Sequence, residues 1–408
     1  MKKNKITFID LFAGCGGLTE GFLQTGKYKG LAHIEWELPM VNTLRNRLVK
    51  KWNHSENDAL KRVIHFDMQK SDELINGNWA TDSKEEYSLT NHIDVVRNGL
   101  KGFIDEEVDV IIGGPPCTAY SLANRGNKYN HPNDYRNFLF ESFVNILDYF
   151  KPKVFVFENV TGMLSATPGG KLVTERIYQS FEESGYEILP TNVMKRAVLS
   201  AADYNVPQNR RRVILIGIQK SKDLSSITTL ESIYELLKSH KSKKIKTVRE
   251  AIYNLPKLTN DKCITHDQNH NRRYHNSRDI DIFREWILNE MNKKTNDEKI
   301  NYYKLKVGKD TKVSKYRNLE WEKPSPTIVS HLNKDGLMFI HPDPDQARTI
   351  TVREAALLQS FPEDFDFIEN MGWNYKMIGN AVPVNLSKEI AIVLHKSLTS
   401  QNSTYGLL

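Results

Sequence analysis

The sequence predicts an α/β protein: a doubly wound, mostly parallel sheet with a smaller second domain. Three observations carry this prediction. Short apolar, β-branched runs alternate with stretches of helical periodicity through the first half of the chain. A glycine cluster directly follows the first run, and the alternation stops after about Gln219.

The first run, residues 6–12 (ITFIDLF), leads through Gly14, Gly16 and Gly17 into 18–25 (LTEGFLQT), which reads as strand, tight turn and helix. Further strand candidates are 31–34 (LAHI), 63–66 (VIHF), 108–112 (VDVII), 154–157 (VFVF) and 213–218 (VILIGI), with helices between several of them, among them 138–150. Strands joined by helical crossovers lie parallel, and such sheets bind ligands beyond their carboxyl ends. After Gln219 the stretch SKDLSSITTLESIYELLKSHKSKKIKT is polar and then strongly basic, and reads as a linker into a second domain. Helical periodicity returns at 351–359 (TVREAALLQ), with a capping threonine and a glutamate three residues on.

A length of 408 residues suits one large domain and a smaller one. With 39% hydrophobic and 26% charged residues, the chain is too apolar for a disordered protein. Its net charge of +7 favours an anionic partner. Cys15, Cys117 and Cys263 are widely separated without a CxxC spacing, which argues against a disulfide framework or zinc cluster and for a reducing cytosol. The N-terminus lacks a long apolar signal core, and no run of eighteen uncharged apolar residues occurs later, so neither secretion nor a membrane partner is expected.

Four constellations carry chemistry. In FIDLFAGCGGLTEGF, glycines let the backbone turn sharply and approach a nucleotide-like cofactor; a plain glycine turn is the plainer reading. Glu35 and Trp36 end the next strand candidate, where a carboxylate would meet ribose hydroxyls and an indole would stack on adenine, and Asp67 ends the third, within reach of an adenine amino group. In DVIIGGPPCTAYS, two prolines stiffen the loop that presents Cys117. A free thiol has a pKa of roughly 8.5, so that cysteine needs a site that favours thiolate. In VFVFENV, Glu158 follows four apolar residues, and an acid in an apolar pocket can hold a proton. In PQNRRRV, Arg210 and Arg212 alternate on entering a strand, so both can project to one face towards a base carbonyl or a phosphate.

These segments, in this order, resemble the DNA (cytosine-5)-methyltransferases of bacterial restriction-modification systems. The resemblance rests on FIDLFAGCGG, Glu35–Trp36, Asp67, GGPPCTAYS, DYRNFLF from Asp134, ENV at Glu158, QNRRRV from Gln208, TVREAALLQSFP and IGNAVPV from Ile378, and so covers nearly the whole chain. It implies a Rossmann-like S-adenosylmethionine-dependent domain, residues 1–240 completed by 375–408, and a small target-recognition domain, 241–374. It implies Cys117 as nucleophile, Glu158 and Arg212 in the base pocket with Arg210 in support, and cofactor contacts from Phe12, Gly14, Gly16, Glu35, Trp36, Asp67, Leu139, Asn380 and Val382. The partner implied is double-stranded DNA, with Ser121, Arg125, Lys128, Gln208, Thr327 and His331 as contacts. A monomer acting on DNA in a prokaryotic cytoplasm, paired with a restriction endonuclease, completes the expectation.

Two departures stand out. Thr118 comes after the cysteine where the family commonly has glutamine, and the stretch 68–107 is longer than compact members require, which reads as a surface insertion or a further DNA contact. The histidines of HDQNHNRRYH, from His266, read as a polar DNA-contacting or structural segment, since no cysteine or carboxylate set completes a metal site. Alternatives are an RNA cytosine-5 methyltransferase of the same fold, whose typical Cys-Phe-Thr tripeptide is absent here, an inactive DNA-binding regulator and a dinucleotide-dependent oxidoreductase.

Overall fold

The structure, a computed structural model, describes residues 5–116, 139–220, 226–259 and 264–404. The chain forms two compact units: Met1–Ser200, Arg211–Ser242 and Val384–Leu408 make the first, and Ala201–Arg210 with Lys243–Pro383 make the second. Residues 201–210 and 375–383, assigned to the first domain from the sequence, thus lie in the second unit.

Among the described residues the first unit is built on eight strands: β1 (Ile6–Leu11), β2 (Tyr28–Glu35), β3 (Val63–His65), β4 (Val110–Gly113), β5 (Val154–Val160), β6 (Tyr186–Glu187), β7 (Val198–Ser200) and β8 (Arg211–Gln219). They order as β3-β2-β1-β4-β5-β8-β6, with β7 also pairing β8. The first five are parallel, while β8 runs antiparallel to β5, β6 and β7. Buried on both faces, the central strands read as mostly apolar runs with few polar residues, which is why they were legible. Crossovers are supplied by α1 (Gly17–Gln24), α2 (Leu38–Trp52), α3 (Glu56–Arg62), α4 (Ser71–Asn76), α5 (Thr81–Tyr87), α6 (Ile93–Phe103), α7 (Leu139–Phe150) and α8 (Val173–Glu183).

The stretch 68–107, read from the sequence as a surface insertion or a further DNA contact, is packed into the first unit. It folds into α4, α5 and α6 and the turns that join them, with Leu74, Ile75, Trp79, Tyr87, Val95, Val96 and Leu100 buried. Trp79 and Tyr87 pack on Phe66, at ring-centroid distances of 4.4 and 5.0 Å. Nor is the segment after Gln219 all linker: Ser226–Ser239 forms α9. Its Leu230, Ile233, Tyr234 and Leu237 are buried at helical spacing, the three aliphatic side chains contributing roughly 1.5–3 kcal/mol each over an exposed position. The Tyr234 hydroxyl donates to the Ile214 carbonyl and accepts from the Ile216 amide, so the helix is stitched to β8. The apolar stripe was diluted in sequence by serines, threonines and glutamates on the other face.

The second unit carries α10 (Val248–Ile252), α11 (Ser277–Leu288), α12 (Asn296–Val307), α13 (Val352–Leu358) and α14 (Met371–Asn380). One core gathers Ile282, Phe283, Trp286, Met291, Tyr316, Ile340 and Ala347. The capping box expected at Thr351 and Glu354 is present. Glu354 also makes a buried pair with Arg348 at 2.7 Å, which holds its carboxyl down at about 2 despite burial. The histidine-rich segment is largely structural: buried His270 meets Thr351 Oγ1 and the Pro256 carbonyl, and buried His275 meets Thr349 Oγ1.

The chain returns to the first unit as α15 (Val384–Thr404). Ser387 donates to the Leu18 carbonyl and lies close to Gly21, where an added Cβ would be 2.5 Å from the Ser387 Cβ. Tyr28, at the start of β2, donates to the Ala391 carbonyl at 2.8 Å. Within Met371–Thr399 an 18-residue stretch is apolar enough to cross a membrane by composition, yet 72% of that stretch is buried inside the protein.

Candidate active site

The carboxyl ends of β1, β2 and β3 carry Phe12, Gly14, Gly16, Glu35, Trp36 and Asp67, and the carboxyl-terminal half of β5 carries Glu158. Past Leu11 the backbone turns through three left-handed residues, Phe12 (φ 58°), Gly14 (φ 57°) and Gly16 (φ 93°). Phe12 is strained in that conformation where glycine would not be, and such strain concentrates at functional sites. At Gly16 a Cβ would come within 2.5 Å of Leu44 Cδ1, so the turn packs tightly on α2.

This turn is tied to the end of β2. The Ala13 amide donates to the Ile34 carbonyl, and the Gly14 amide donates to Glu35 Oε2 at 2.8 Å. Glu35 Oε1 accepts from the Glu37 amide, also at 2.8 Å. Burial pushes the Glu35 carboxyl above its ordinary range, while those two amides favour the charged form. Trp36, next along, is 48% exposed, an indole face open to a planar ligand. His65 Nε2 lies 2.8 Å from the Trp36 carbonyl and fixes that backbone. Asp67 is half-buried and caps the turn Met68–Lys70, its two oxygens accepting from the Gln69 amide and side chain at 2.9 Å each.

Beneath the turn lies a buried polar trio that sequence reasoning missed. Thr19 donates to Asp10 Oδ2 at 2.6 Å and sits 2.9 Å from His33 Nδ1. Burial raises Asp10 to about 7 and lowers His33 to about 3. The available signal was two polar residues at inward positions of otherwise apolar strands. Cys15, within the turn, is buried and its thiol is pushed up by that burial, so it is a poor nucleophile.

At the next strand pair, Glu158 Oε1 lies 2.8 Å from Arg212 Nε, both side chains largely buried at 12% and 14% exposure. Val160 opposes Arg212 across the β5–β8 ladder, so Glu158, two residues earlier on β5, shares its face. The apolar pocket expected around Glu158 is therefore supplemented by a guanidinium partner. Gly114, past the end of β4, abuts the same carboxylate: a Cβ there would lie 2.7 Å from Glu158 Oε2. The Asn159 side-chain amide donates to the Pro115 carbonyl at 3.4 Å, a contact of the ENV segment that sequence reasoning also passed over. The loop that leads to Cys117 thus leaves β4 directly against Glu158. Cys117 itself, with Ser121, Arg125 and Lys128, lies outside the described residues.

Other expectations divide. Arg210 does not join Arg212 on one face, because β8 begins only at Arg211. It lies buried in the second unit, donating to the carbonyls of Ile328 at 2.7 Å and Gly379 at 3.0 Å. Gln208 is fully buried rather than presented to DNA: its side-chain amide donates to Leu358 and Gln359 oxygens and accepts from the Ile328 amide. Thr327 is partly exposed and donates to the Asn209 carbonyl at 2.6 Å, while His331 is exposed. Leu139 is buried at the start of α7 in the first unit; exposed Asn380 and buried Val382 belong to the second.

A glycine turn against a buried glutamate, and a glutamate–arginine pair beneath a Gly-Gly-Pro-Pro loop, match one family throughout. The profile of the C-5 cytosine-specific DNA methylases aligns with residues 6–78 and 83–396. The chain belongs to that family. As a C-5 cytosine-specific DNA methylase it has relatives among restriction-modification enzymes. It is 33% identical to the type II methyltransferase M.Bpa9945I of Bacillus paralicheniformis, over 94% of this chain and 97% of that protein. It is 31% identical to the type II methyltransferase M1.HphI of Haemophilus parahaemolyticus, over 97% and 88%. Its fold is similar to that of the S. pombe Dnmt2 methyltransferase, with a TM-score of 0.56 at 14% identity, covering 98% of this chain and all of that one. The methylase profile is interrupted only at residues 79–82, where α4 gives way to α5.

Proposed function

We propose that this DNA cytosine-5 methylase works through a covalent adduct of Cys117 with a cytosine turned out of the duplex, using S-adenosylmethionine as donor. The observation that carries the reading is the Glu158–Arg212 pair lying against Gly114 at the root of the Cys117 loop.

Carbon 5 of cytosine is a weak nucleophile while the ring is aromatic. Addition of the Cys117 thiolate to carbon 6 breaks that conjugation and sends an electron pair towards N3 and carbon 5. Glu158 sits to hold a proton at N3, and Arg212 orients that carboxylate and offers N–H donors to the ring carbonyl. S-adenosylmethionine supplies the electrophilic methyl group that carbon 5 takes up. A base then takes the carbon 5 proton, the carbon 5–carbon 6 double bond re-forms as the thiolate leaves, and the N3 proton returns to the Glu158 carboxylate. Carbons 5 and 6 are hidden in stacked DNA, so the base must leave the stack at a cost of a few kcal/mol.

The residues of the turn fit the donor. The Glu35 carboxylate accepts one main-chain amide on each oxygen and retains lone pairs for two ribose hydroxyls. Trp36 offers a face to adenine, and Gly14 and Gly16 let main chain approach it. In this reading the first unit performs the chemistry, the second selects the target sequence, and the resulting mark protects host DNA from a partner endonuclease.

Cys117→Ala should abolish methyl transfer to DNA while donor binding persists. Duplex carrying 5-fluorocytosine at the mapped target should trap the parent chain covalently, because fluorine blocks the final elimination. Turnover by the alanine variant, or methyl incorporation into tRNA and not DNA, would overturn the reading.

A further inference from the structure

Residues 293–317, covering α12 and the segment after it, hold eight lysines and one arginine against three acids, Asp297, Glu298 and Asp310. That excess of six positive charges compares with +7 for all 408 residues. A solvated face ordinarily interleaves signs, and the α12 end of this stretch does so. Lys293 pairs with Glu290 at 2.6 Å, Lys304 with Asp310 at 2.9 Å, and Lys306 with Glu285 at 2.7 Å. Those contacts also engage Asp310, the one acid beyond the helix.

Past the helix the signs no longer alternate. Lys309, Lys312, Lys315 and Arg317 are exposed, and among the described residues none of them forms an ion pair. Their backbone is nonetheless held at both ends. Gly308, left-handed at φ 72°, stops α12 by donating to the Lys304 carbonyl. Tyr316 is buried in the core of the second unit, 5.6 Å from the Trp286 ring and 5.8 Å from that of Tyr303. The Arg317 amide donates to the Leu337 carbonyl, and its carbonyl accepts from the Ile340 amide, each at 3.0 Å. Four uncompensated cations are thus presented on a strip pinned between a helix cap and the core, and their mutual repulsion is relieved when a polyanion binds.

We infer that Lys309, Lys312, Lys315 and Arg317 form a sequence-independent anchor on the DNA sugar–phosphate backbone, adding affinity for duplex without choosing the target. The inference rests on duplex DNA being the substrate. Phosphate is favoured over base edges because three of the four are lysines, point charges on flexible stems, whereas base reading needs planar, fixed donors.

The test uses the full chain with Lys309→Gln, Lys312→Gln, Lys315→Gln and Arg317→Gln combined, and a control carrying Lys293→Gln and Lys304→Gln. Binding is measured against salt on a duplex holding the site mapped by bisulfite sequencing and on one of equal length without it. The fourfold variant should weaken both duplexes alike and flatten the slope of log affinity on log salt by about 3–4, near 0.9 per lost phosphate contact. The control should change that slope by less than about 1, and kcat at saturating DNA should stay within about twofold for both. An unchanged slope overturns the inference, as does a loss confined to the target duplex, which would make the strip a base reader. Failure of the methylation reading is a separate result: the parent chain would methylate no DNA, whatever its salt slope.

Discussion

At the scale of single residues, the site depends on which polar groups find a partner. Glu35 ends β2 and Glu158 lies two residues before the end of β5, yet Glu158 faces a guanidinium and Glu35 faces two amides. The first arrangement suits proton work beside a reacting ring, the second suits holding neutral hydroxyls. Glu158→Gln keeps the shape and removes the acid. It should lower kcat by about 10²–10⁴, the usual worth of a positioned acid or base, and leave donor affinity unchanged because the Glu35 turn is untouched. Steady-state rates with both substrates saturating, beside a donor titration, check this; a kcat within about threefold of the parent would remove Glu158 from the chemistry. Gln208 and Arg210 teach the converse. Both are polar residues in a motif, and both are buried with their side chains bonded to main-chain carbonyls. Residue type alone cannot separate a group offered to DNA from one engaged in holding a loop, since the surroundings come from distant segments.

At the scale of elements, the legible parts were those whose neighbours are close in sequence. The glycine turn, the buried parallel strands and the Thr351 capping box are local physics. The helix α9 and the packed α4–α6 stretch were not legible, because their apolar faces are narrow and only β8, Phe66 and their neighbours show what those faces cover. The closing of the first unit by α15 depends on one small residue. At Gly21 a Cβ would meet the Ser387 Cβ at 2.5 Å and the Lys388 amide nitrogen at 2.6 Å, and a backbone atom does not yield as a flexible side chain does. Gly21→Ala should therefore destabilise by roughly 1–3 kcal/mol despite its better helix propensity. Urea denaturation monitored by circular dichroism tests this. A stability equal to or above the parent's would mean that α1 and α15 part without cost.

At the scale of the whole molecule, buried ionisable groups set the response to acid. Burial lowers His33 to about 3, His275 to about 4 and His341 to about 4. Each imidazole is neutral when folded and takes up a proton near pH 6.5 when unfolded, so its stabilising contribution is complete above about 6.5 and is lost as pH falls towards 4. Asp10, raised to about 7, opposes this: folded, it gains a proton between pH 7 and 4 that the unfolded chain does not. Glu35, also raised by burial, acts in the same sense as Asp10. His65, also lowered by burial, acts with the other imidazoles, and four groups against two leave a net fall in melting temperature from about pH 6.5 to about 4. Differential scanning calorimetry across that range checks the sign; a rising melting temperature would show that the imidazoles are charged in the folded protein.

The sequence by itself determined the class of sheet and the glycine turn after its first strand, because each is written in short local runs. The tertiary structure decided what the candidate residues face. Only pairing β8 antiparallel to β5 brings Arg212 to Glu158, which lie far apart in the chain. Likewise, the burial of Gln208 and Arg210, and the lack of ion pairs at Lys309, Lys312, Lys315 and Arg317 among the described residues, depend on which acids, carbonyls and rings lie nearby. Periodicity and propensity act within an element, whereas partner choice is settled by packing between elements.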